Sequence, residues 1–282
     1  MEYINKQVFL ERITLNKTLI IGRRSQLSHY LRGSLSSFST IYAKDIDKNT
    51  KVLNSEWDTA YLTFGESRKE GVDISQYDLV NYELTKKYID SLRYSCKKIV
   101  CFSTCELWSN YSGPVDISMK WNYKSNPYTD SKRKISEYIL ELNSKNVIVL
   151  YPFNFNSPLR TTDFLFGKVF QSILNKKKIT LGNTNFKRDI IHPKNLTKRI
   201  LEIENHEIIG SGHLTHVRHF VNNLYSKFNM NASDWINEVN TRNDRNITEY
   251  YSSTRSTQTY KSLLEETFLD LKNYEEQKWE TS

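Results

Sequence analysis

Short apolar runs alternate with longer amphipathic stretches along most of this chain. Residues 17–22 (KTLIIG) read as a buried strand running into a turn, and 23–31 (RRSQLSHYL) as the start of a helix. The apolar segment 38–42 ends just before Asp45, Ile46 and Asp47, and 60–65 (AYLTFG) forms the next strand. A helix is expected from 77 to 94, with Leu79, Tyr82, Lys86, Ile89 and Arg93 distributing apolar and basic faces. Residues 98–104 and 147–151 are continuous apolar runs of the kind buried on both faces of a sheet. Strands alternating with helices predict an α/β fold, a parallel sheet covered by helices on both sides. Ahead of the first strand, Ile4, Val8, Phe9 and Ile13 have loosely helical spacing. No internal repeat, low-complexity tract or linker interrupts the pattern.

Two stretches of this pattern carry chemistry. Tyr128 precedes Lys132 by one helical turn at the head of a predicted helix (PYTDSK), so both side chains share a face. An ammonium one turn away favours the phenolate, and a phenol with an ordinary pKa of about 10 then exchanges its proton nearer neutrality. Tyr128 is the candidate general acid and base. With 18 tyrosines in the chain, a Tyr-x-x-x-Lys spacing also arises by chance, so it needs support from its surroundings. The other stretch is the turn after the first strand. A strand entering a helix N-terminus through small residues is the geometry that receives a pyrophosphate. Gly22, Ser25 and Ser28 take the places of G-x-x-G-x-x-G, with Arg23, Arg24, Gln26 and Leu27 between them. An ordinary strand–helix turn has the same look.

Composition narrows the setting. A chain of 282 residues buries a sizeable core, as one large domain or as two sharing a sheet. No stretch is long and apolar enough to span a bilayer. The first residues lack the basic head and apolar core of a secretory signal, so a cytoplasmic protein is expected. Cys96, Cys101 and Cys105, an odd set with no histidine at ligand spacing, read as reduced thiols in and beside a buried strand. The net charge of +8, from 40 basic and 32 acidic residues, points toward an anionic partner, nucleic acid or a phosphorylated small molecule. The excess is spread along the chain, and the lysine triplet at 176–178 fits a solvated loop, so nucleic acid is not the expected partner. His213, His216 and His219, taken as helical, step about 300° each around the axis and do not close on one ion, so no metal site is expected.

From Ser103-Thr104-Cys105-Glu106-Leu107-Trp108 onward, with Tyr128 following, the chain resembles the extended short-chain dehydrogenase/reductase family, within it the nucleotide-sugar epimerases, dehydratases and reductases. Asn81 sits where that family has the asparagine of its fourth helix, and NPYTDSK at 126–132 is similar to its Pro-Tyr-x-x-Ser-Lys. YPFNFNSP at 151–158 is similar to Arg-Pro-x-Asn-x-Tyr-Gly-Pro, and RDIIHP at 188–193 to Arg-Asp-Phe-x-His-Val. Residues 259–267 resemble the last family helix.

The resemblance implies a Rossmann-type, doubly wound parallel sheet built from 1–152 and about 186–222, with a smaller C-terminal substrate domain from 153–185 and 223–282. The cleft would lie at the carboxyl ends of the strands. It implies that Lys132 holds the nicotinamide ribose and depresses the pKa of the phenol, that Thr104 bonds the reacting sugar oxygen, and that Tyr128 passes the proton as hydride moves. Gly22 through Ser28, Asp45, Gly65 and Asn81 would face the cofactor, and Glu106, Asn154 and Arg188 the substrate. Arg188 suits the substrate's pyrophosphate, a fork meeting a planar acceptor; a surface ion pair with Asp189 is its other reading. Arg23 and Arg24 suit the 2′-phosphate of NADP, whereas Asp45 suits the ribose hydroxyls of NAD; NADP is slightly favoured. Family members commonly dimerise through a helix bundle, for which helices at 77–94 and 128–143 are available.

The departures are informative too. Cys105 replaces the first acid of the dehydratases' acidic pair, and a thiol with a pKa of about 8.5 is a poor donor to a leaving hydroxide. The reaction expected is therefore that of an epimerase or a 4-keto reductase on a nucleoside-diphosphate sugar. Tyr151 stands for the family arginine, Asn156 for its tyrosine, and Lys194-Asn195 for its Asp-Asp. The serines in the turn leave a second reading open, a binding or scaffold protein that kept the fold without catalysis.

Overall fold

The computed structural model describes residues 17–68, 71–239 and 248–276. The helix expected over residues 4–13 lies outside them. Strands β1 (Thr18–Ile21), β2 (Ser39–Ile41), β3 (Thr59–Leu62), β4 (Ile99–Phe102), β6 (Val147–Pro152) and β9 (Glu207–Ile209) form one all-parallel sheet in the order β2-β1-β3-β4-β6-β9. The continuous apolar runs follow from burial on both faces. Leu19, Ile21, Ala60, Leu62, Ile99, Cys101, Val147, Val149 and Tyr151 enter one core, while Ile20, Tyr61, Val100, Ile148 and Leu150 enter the other. Successive side chains on a strand point to opposite faces, and both faces are packed here.

Two helical layers supply those cores. Helix Gln26–Ser34, through Leu27 and Leu31, shares one core with helix Pro193–Glu202 through Leu196 and Ile200. On the other face Tyr88, Ile89 and Leu92 meet Ile135 and Ile139 of helix Pro127–Leu142. The latter starts where the sequence says it must. Asn126 accepts from the Thr129 amide, Thr129 answers the Asn126 amide, and Pro127 takes the first helical position. The helix expected over 77–94 runs from 74 to 92, as Ile74–Asp78, a π-helical stretch Leu79–Leu84, and Thr85–Leu92. Its one-residue bulge turns Asn81 inward.

A second core gathers Phe166, Val169 and Phe170 of helix Leu165–Asn175, Phe220, Val221 and Leu224 of helix Val217–Lys227, and Leu263 and Leu271 of helix Tyr260–Glu276. The return segment expected at 186–222 therefore divides. Residues 193–209 rejoin the sheet, whereas Val217, Phe220 and Val221 belong to the second core. Three short strand pairs frame this side. They are β5 (Gly113–Val115) with β12 (Tyr250–Ser252), β7 (Ile179–Leu181) with β11 (Ile236–Glu238), and β8 (Lys187–Asp189) with β10 (Leu214–His216).

The three histidines do not share a helix: His213 precedes β10, His216 ends it, and only His219 is helical. The His216 and His219 rings stack at 4.1 Å, and among the described residues no set of three or more His, Cys, Asp or Glu side chains is arranged to hold a metal ion. No helix among the described residues is long and apolar enough to cross a membrane.

Candidate active site

The turn between β1 and helix Gln26–Ser34 opens on Gly22, with φ at +108°. A Cβ there would lie 2.8 Å from the Phe64 amide nitrogen and 2.9 Å from the Thr63 hydroxyl, so the chain bends hard against the end of β3. Ser25 caps the helix, its Oγ accepting from the Ser28 amide at 3.0 Å. The Gln26 and Leu27 amides belong to the first turn, where helix geometry supplies no acceptor, and they and the Ser25 hydroxyl proton suit an anion. The cradle thus fits a pyrophosphate although two of its three glycines are serines. Ser28 is fully buried and its hydroxyl has no partner, so the helix packs on the sheet through a dry serine.

Beside the turn, the Arg23 and Arg24 guanidiniums lie 5.8 and 5.2 Å from the centre of the Tyr42 ring, just past the end of β2. Asp45 is further on, inside a 3-10 stretch, with its carboxylate 3.4 Å from the Lys48 ammonium. Gln26 does something else: its side-chain oxygen accepts from the Ser157 amide at 3.0 Å and the Ser157 hydroxyl at 2.8 Å. One amide thereby ties the head of the turn helix to the loop after β6.

The reaction wall rises from the ends of β4 and β3. Thr104 caps the 3-10 turn Cys105–Trp108, accepting from the Glu106 amide at 3.2 Å, and its hydroxyl lies near enough to the Tyr128 phenol to favour the phenolate. Burial pushes that phenol well above its usual range and the Glu106 carboxylate adds to the push, while the nearby Thr104 hydroxyl and the Arg160 charge draw it back. This corrects one expectation. The Lys132 ammonium does not depress the phenol, because it turns inward and donates to the Phe102 carbonyl at 2.8 Å. Burial holds Lys132 down at about 8.

Gly65 closes over the lysine. A Cβ on it would sit 3.3 Å from Lys132 Nζ and 3.2 Å from Asn81 Oδ1. Asn81 grips the same loop, accepting from the Glu66 amide at 2.8 Å and donating to the Glu66 carbonyl at 2.9 Å and the Ser131 hydroxyl at 3.0 Å. The Asn81 side chain therefore holds the loop to helix Pro127–Leu142. Lys132, Gly65 and Asn81 form one cluster, and Thr104 with Tyr128 forms its neighbour.

The substrate side is less like the family pattern. Arg188 donates to the Lys187 carbonyl at 3.1 Å and the Thr248 carbonyl at 3.2 Å. It does not pair with Asp189. That carboxylate is fully buried and accepts from the Ser211 amide and hydroxyl at 2.7 and 2.6 Å, the Gly212 amide at 3.1 Å and the Ser252 amide at 3.0 Å. Arg188 acts electrostatically on Cys105 and Tyr250, whose thiol and phenol meet at 3.7 Å. Burial pushes the Cys105 thiol far up, which leaves it neutral. The Asn154 amide donates to the Asp189 carbonyl at 3.4 Å, and Tyr151 packs edge-on against Trp108, ring centres 5.0 Å apart.

Two residues of the candidate site escaped the sequence reading. Tyr250 reaches the site only because β12 pairs with β5, a contact between distant segments. Arg160 follows Ser157-Pro158 closely, but no motif singles it out.

No protein-family model matches the chain, and no curated protein matches it. Solved structures do. RMD from Pseudomonas aeruginosa, complexed with NADPH, aligns with a TM-score of 0.76 over 92% of this chain and 99% of its own, at 14% identity. UDP-glucuronic acid 4-epimerase from Bacillus cereus, in complex with NAD, gives 0.71 over 91% and 96% at 15% identity. ADP-L-glycero-D-manno-heptose-6-epimerase from Helicobacter pylori gives 0.74 over 96% and 99% at 11% identity. The chain has the fold of the extended short-chain dehydrogenase/reductases, the class to which these neighbours belong.

Proposed function

We propose that the chain is an NAD(P)-dependent epimerase or 4-keto reductase acting on a nucleoside-diphosphate sugar. The observation that carries this is the placing of Thr104 beside Tyr128 at the carboxyl edge of the sheet, on the same edge as a turn fit for a pyrophosphate. A bound nicotinamide supplies the hydride chemistry. Thr104 fixes the oxygen of the reacting sugar carbon, and Tyr128 holds or returns its proton, so that no free alkoxide accumulates. Lys132, charged at neutral pH and anchored on the Phe102 carbonyl, is placed to hold a ribose hydroxyl and not to touch the phenol. Neutral Cys105 offers no acid for dehydration.

Arg23 and Arg24 over Tyr42, with Asp45 engaged by Lys48, support NADP as the cofactor. Nicotinamide cofactors and UDP-linked sugars in the neighbouring structures support this substrate class. Exposed Leu79 and Leu140, on the helices available for a bundle, support a homodimer.

The test is a fluorescence titration of the full chain with NADPH and NADH, followed by hydride exchange on a pool of nucleotide sugars. Tyr128→Phe should lower exchange by roughly a thousandfold while cofactor affinity stays within about twofold. Unchanged exchange removes Tyr128 from the reaction. A folded wild type that binds neither cofactor supports the scaffold reading instead.

A further inference from the structure

Two polar side chains of helix Gln26–Ser34 tie it to segments that follow the sheet's fifth strand in sequence. Gln26 opens the helix, and its side-chain oxygen is the shared acceptor of the Ser157 amide at 3.0 Å and the Ser157 hydroxyl at 2.8 Å. Ser157 is buried, so both donors rest on that one oxygen. The loop beyond is built on Ser157: its hydroxyl accepts from the Leu159 amide at 3.3 Å and its carbonyl from the Arg160 amide at 2.9 Å. One turn along the helix from Gln26, Tyr30 donates to the Asp270 carboxylate of helix Tyr260–Glu276, and both residues are buried. Asp270 is held in turn, 3.2 Å from His192 Nε2 and 3.3 Å from the Lys194 ammonium. The Glu266 carboxylate, one turn earlier, lies 3.4 Å from His192 Nδ1 and accepts from the Asn195 side-chain amide at 2.9 Å.

Leu27 and Leu31 already pack this helix on the sheet, so the polar contacts add something that packing does not. An apolar contact tolerates a small slide, whereas a buried hydrogen bond that is broken leaves its donor unsatisfied. Each bond therefore passes the position of one partner to the other. The Tyr30 bond, fixed through Asp270, holds the middle of the helix, so a change in its first turn is felt at Gln26. That turn is where helix geometry gives the Gln26 and Leu27 amides no acceptor and where Gly22 bends the chain. A dinucleotide phosphate bound there satisfies these amides and stiffens the turn, and with it the oxygen on which Ser157 rests. We propose that Gln26 is a positioning residue that couples the cofactor turn to loop 157–164. Filling the turn steadies the loop, and a substrate that needs the loop in place then binds more tightly to the cofactor-loaded chain. By linkage the substrate tightens the cofactor by the same factor. This rests on the cofactor reading of the turn and goes beyond it, since neither Gln26 nor Ser157 has to touch the reacting atoms.

The test is amide hydrogen exchange on the full chain, free and saturated with whichever of NADPH or NADH it binds. In the wild type the cofactor should slow exchange of the 157–160 amides by about fivefold or more. Strand Ile179–Leu181, which makes none of these contacts, should slow by less than about twofold. Gln26→Met keeps the backbone amide and the length of the side chain but removes the acceptor. Compared at its own saturating cofactor concentration, it should show less than about twofold slowing in the loop. Ser157→Ala removes one of the two bonds and should fall between; it serves alone if the methionine variant does not fold or cannot be saturated. Loop slowing that persists undiminished in the variant overturns the proposal, because the cofactor would then reach the loop directly. Slowing that spreads equally to Ile179–Leu181 overturns it too, as a gain in global stability. So does a wild type that binds cofactor with no change in the loop. A folded wild type that binds neither cofactor overturns the cofactor reading and the coupling with it, an outcome separate from binding without slowing.

Discussion

At the head of helix Gln26–Ser34 two serines replace glycines and the local geometry absorbs both, whereas on helix Pro127–Leu142 the family spacing is intact and its expected electrostatics are not. Ser25 becomes the helix cap, and Ser28 packs dry against the sheet. Tyr128 and Lys132 keep their places one turn apart, yet the ammonium goes to a backbone carbonyl and the cation acting on the phenol is Arg160 from another segment. A motif fixes which side chains reach a cleft. Which charges face each other there is set by the loops that close over it, and these come from 65–68 and 157–164.

The contrast breaks most visibly at Gly22. Gly22→Ala puts a methyl against the Phe64 amide in a backbone conformation that L-residues avoid. It should cost about 3 kcal/mol in urea unfolding and abolish cofactor binding. A variant with wild-type stability and affinity would mean that the turn is as adaptable at its first place as at its second and third.

Next in size is Lys132. Its folded value of about 8 lies below the 10.5 of an exposed lysine. Below about pH 8 the side chain is charged in both states and burial is penalised in full. Between about 8 and 10.5 the unfolded chain binds the extra proton, so the stability of the wild type rises with pH and the penalty fades. Lys132→Met should therefore be more stable than wild type by about 2–3 kcal/mol at pH 7, the lost carbonyl bond included, and the gap should close toward pH 10. Chemical denaturation across that range checks it. A gap that is absent or widens with pH would mean that the Phe102 carbonyl fully compensates the buried charge.

Much of the sheet was legible because burial on both faces writes itself as unbroken apolar runs, as in TLII and VIVLYP. The start of helix Pro127–Leu142 was legible because its cap is local. The division of segment 186–222 was not: Val217 and Phe220 are as apolar as Leu196 and Ile200, and only the packing of helix Tyr260–Glu276 reveals which core takes them. The histidines misled because His216 ends a strand whose partner, β8, is far off in sequence. In the candidate site, Tyr128 and Lys132 were visible through spacing, and Thr104 through the resemblance. Arg160 and Tyr250 were not, since each arrives by a tertiary contact that leaves no local signature.

The smallest effects separate the two serines of the turn. Ser25 has a job that its hydroxyl performs, so Ser25→Ala should cost about 1 kcal/mol by loss of the cap and weaken cofactor binding, because the Ser28 amide is left without its acceptor. Ser28 has a hydroxyl that is fully buried and bonds nothing. Ser28→Ala removes that desolvated group and keeps the Cβ that fills the helix–sheet contact, so it should stabilise the chain by about 1 kcal/mol and leave NADPH affinity unchanged. Thermal melts of both variants, with and without NADPH, read the sign directly. Should Ser28→Ala destabilise the chain or weaken cofactor binding, the Ser28 hydroxyl has a partner when the nucleotide is bound. The turn would then have answered its substitutions with chemistry and not by packing alone.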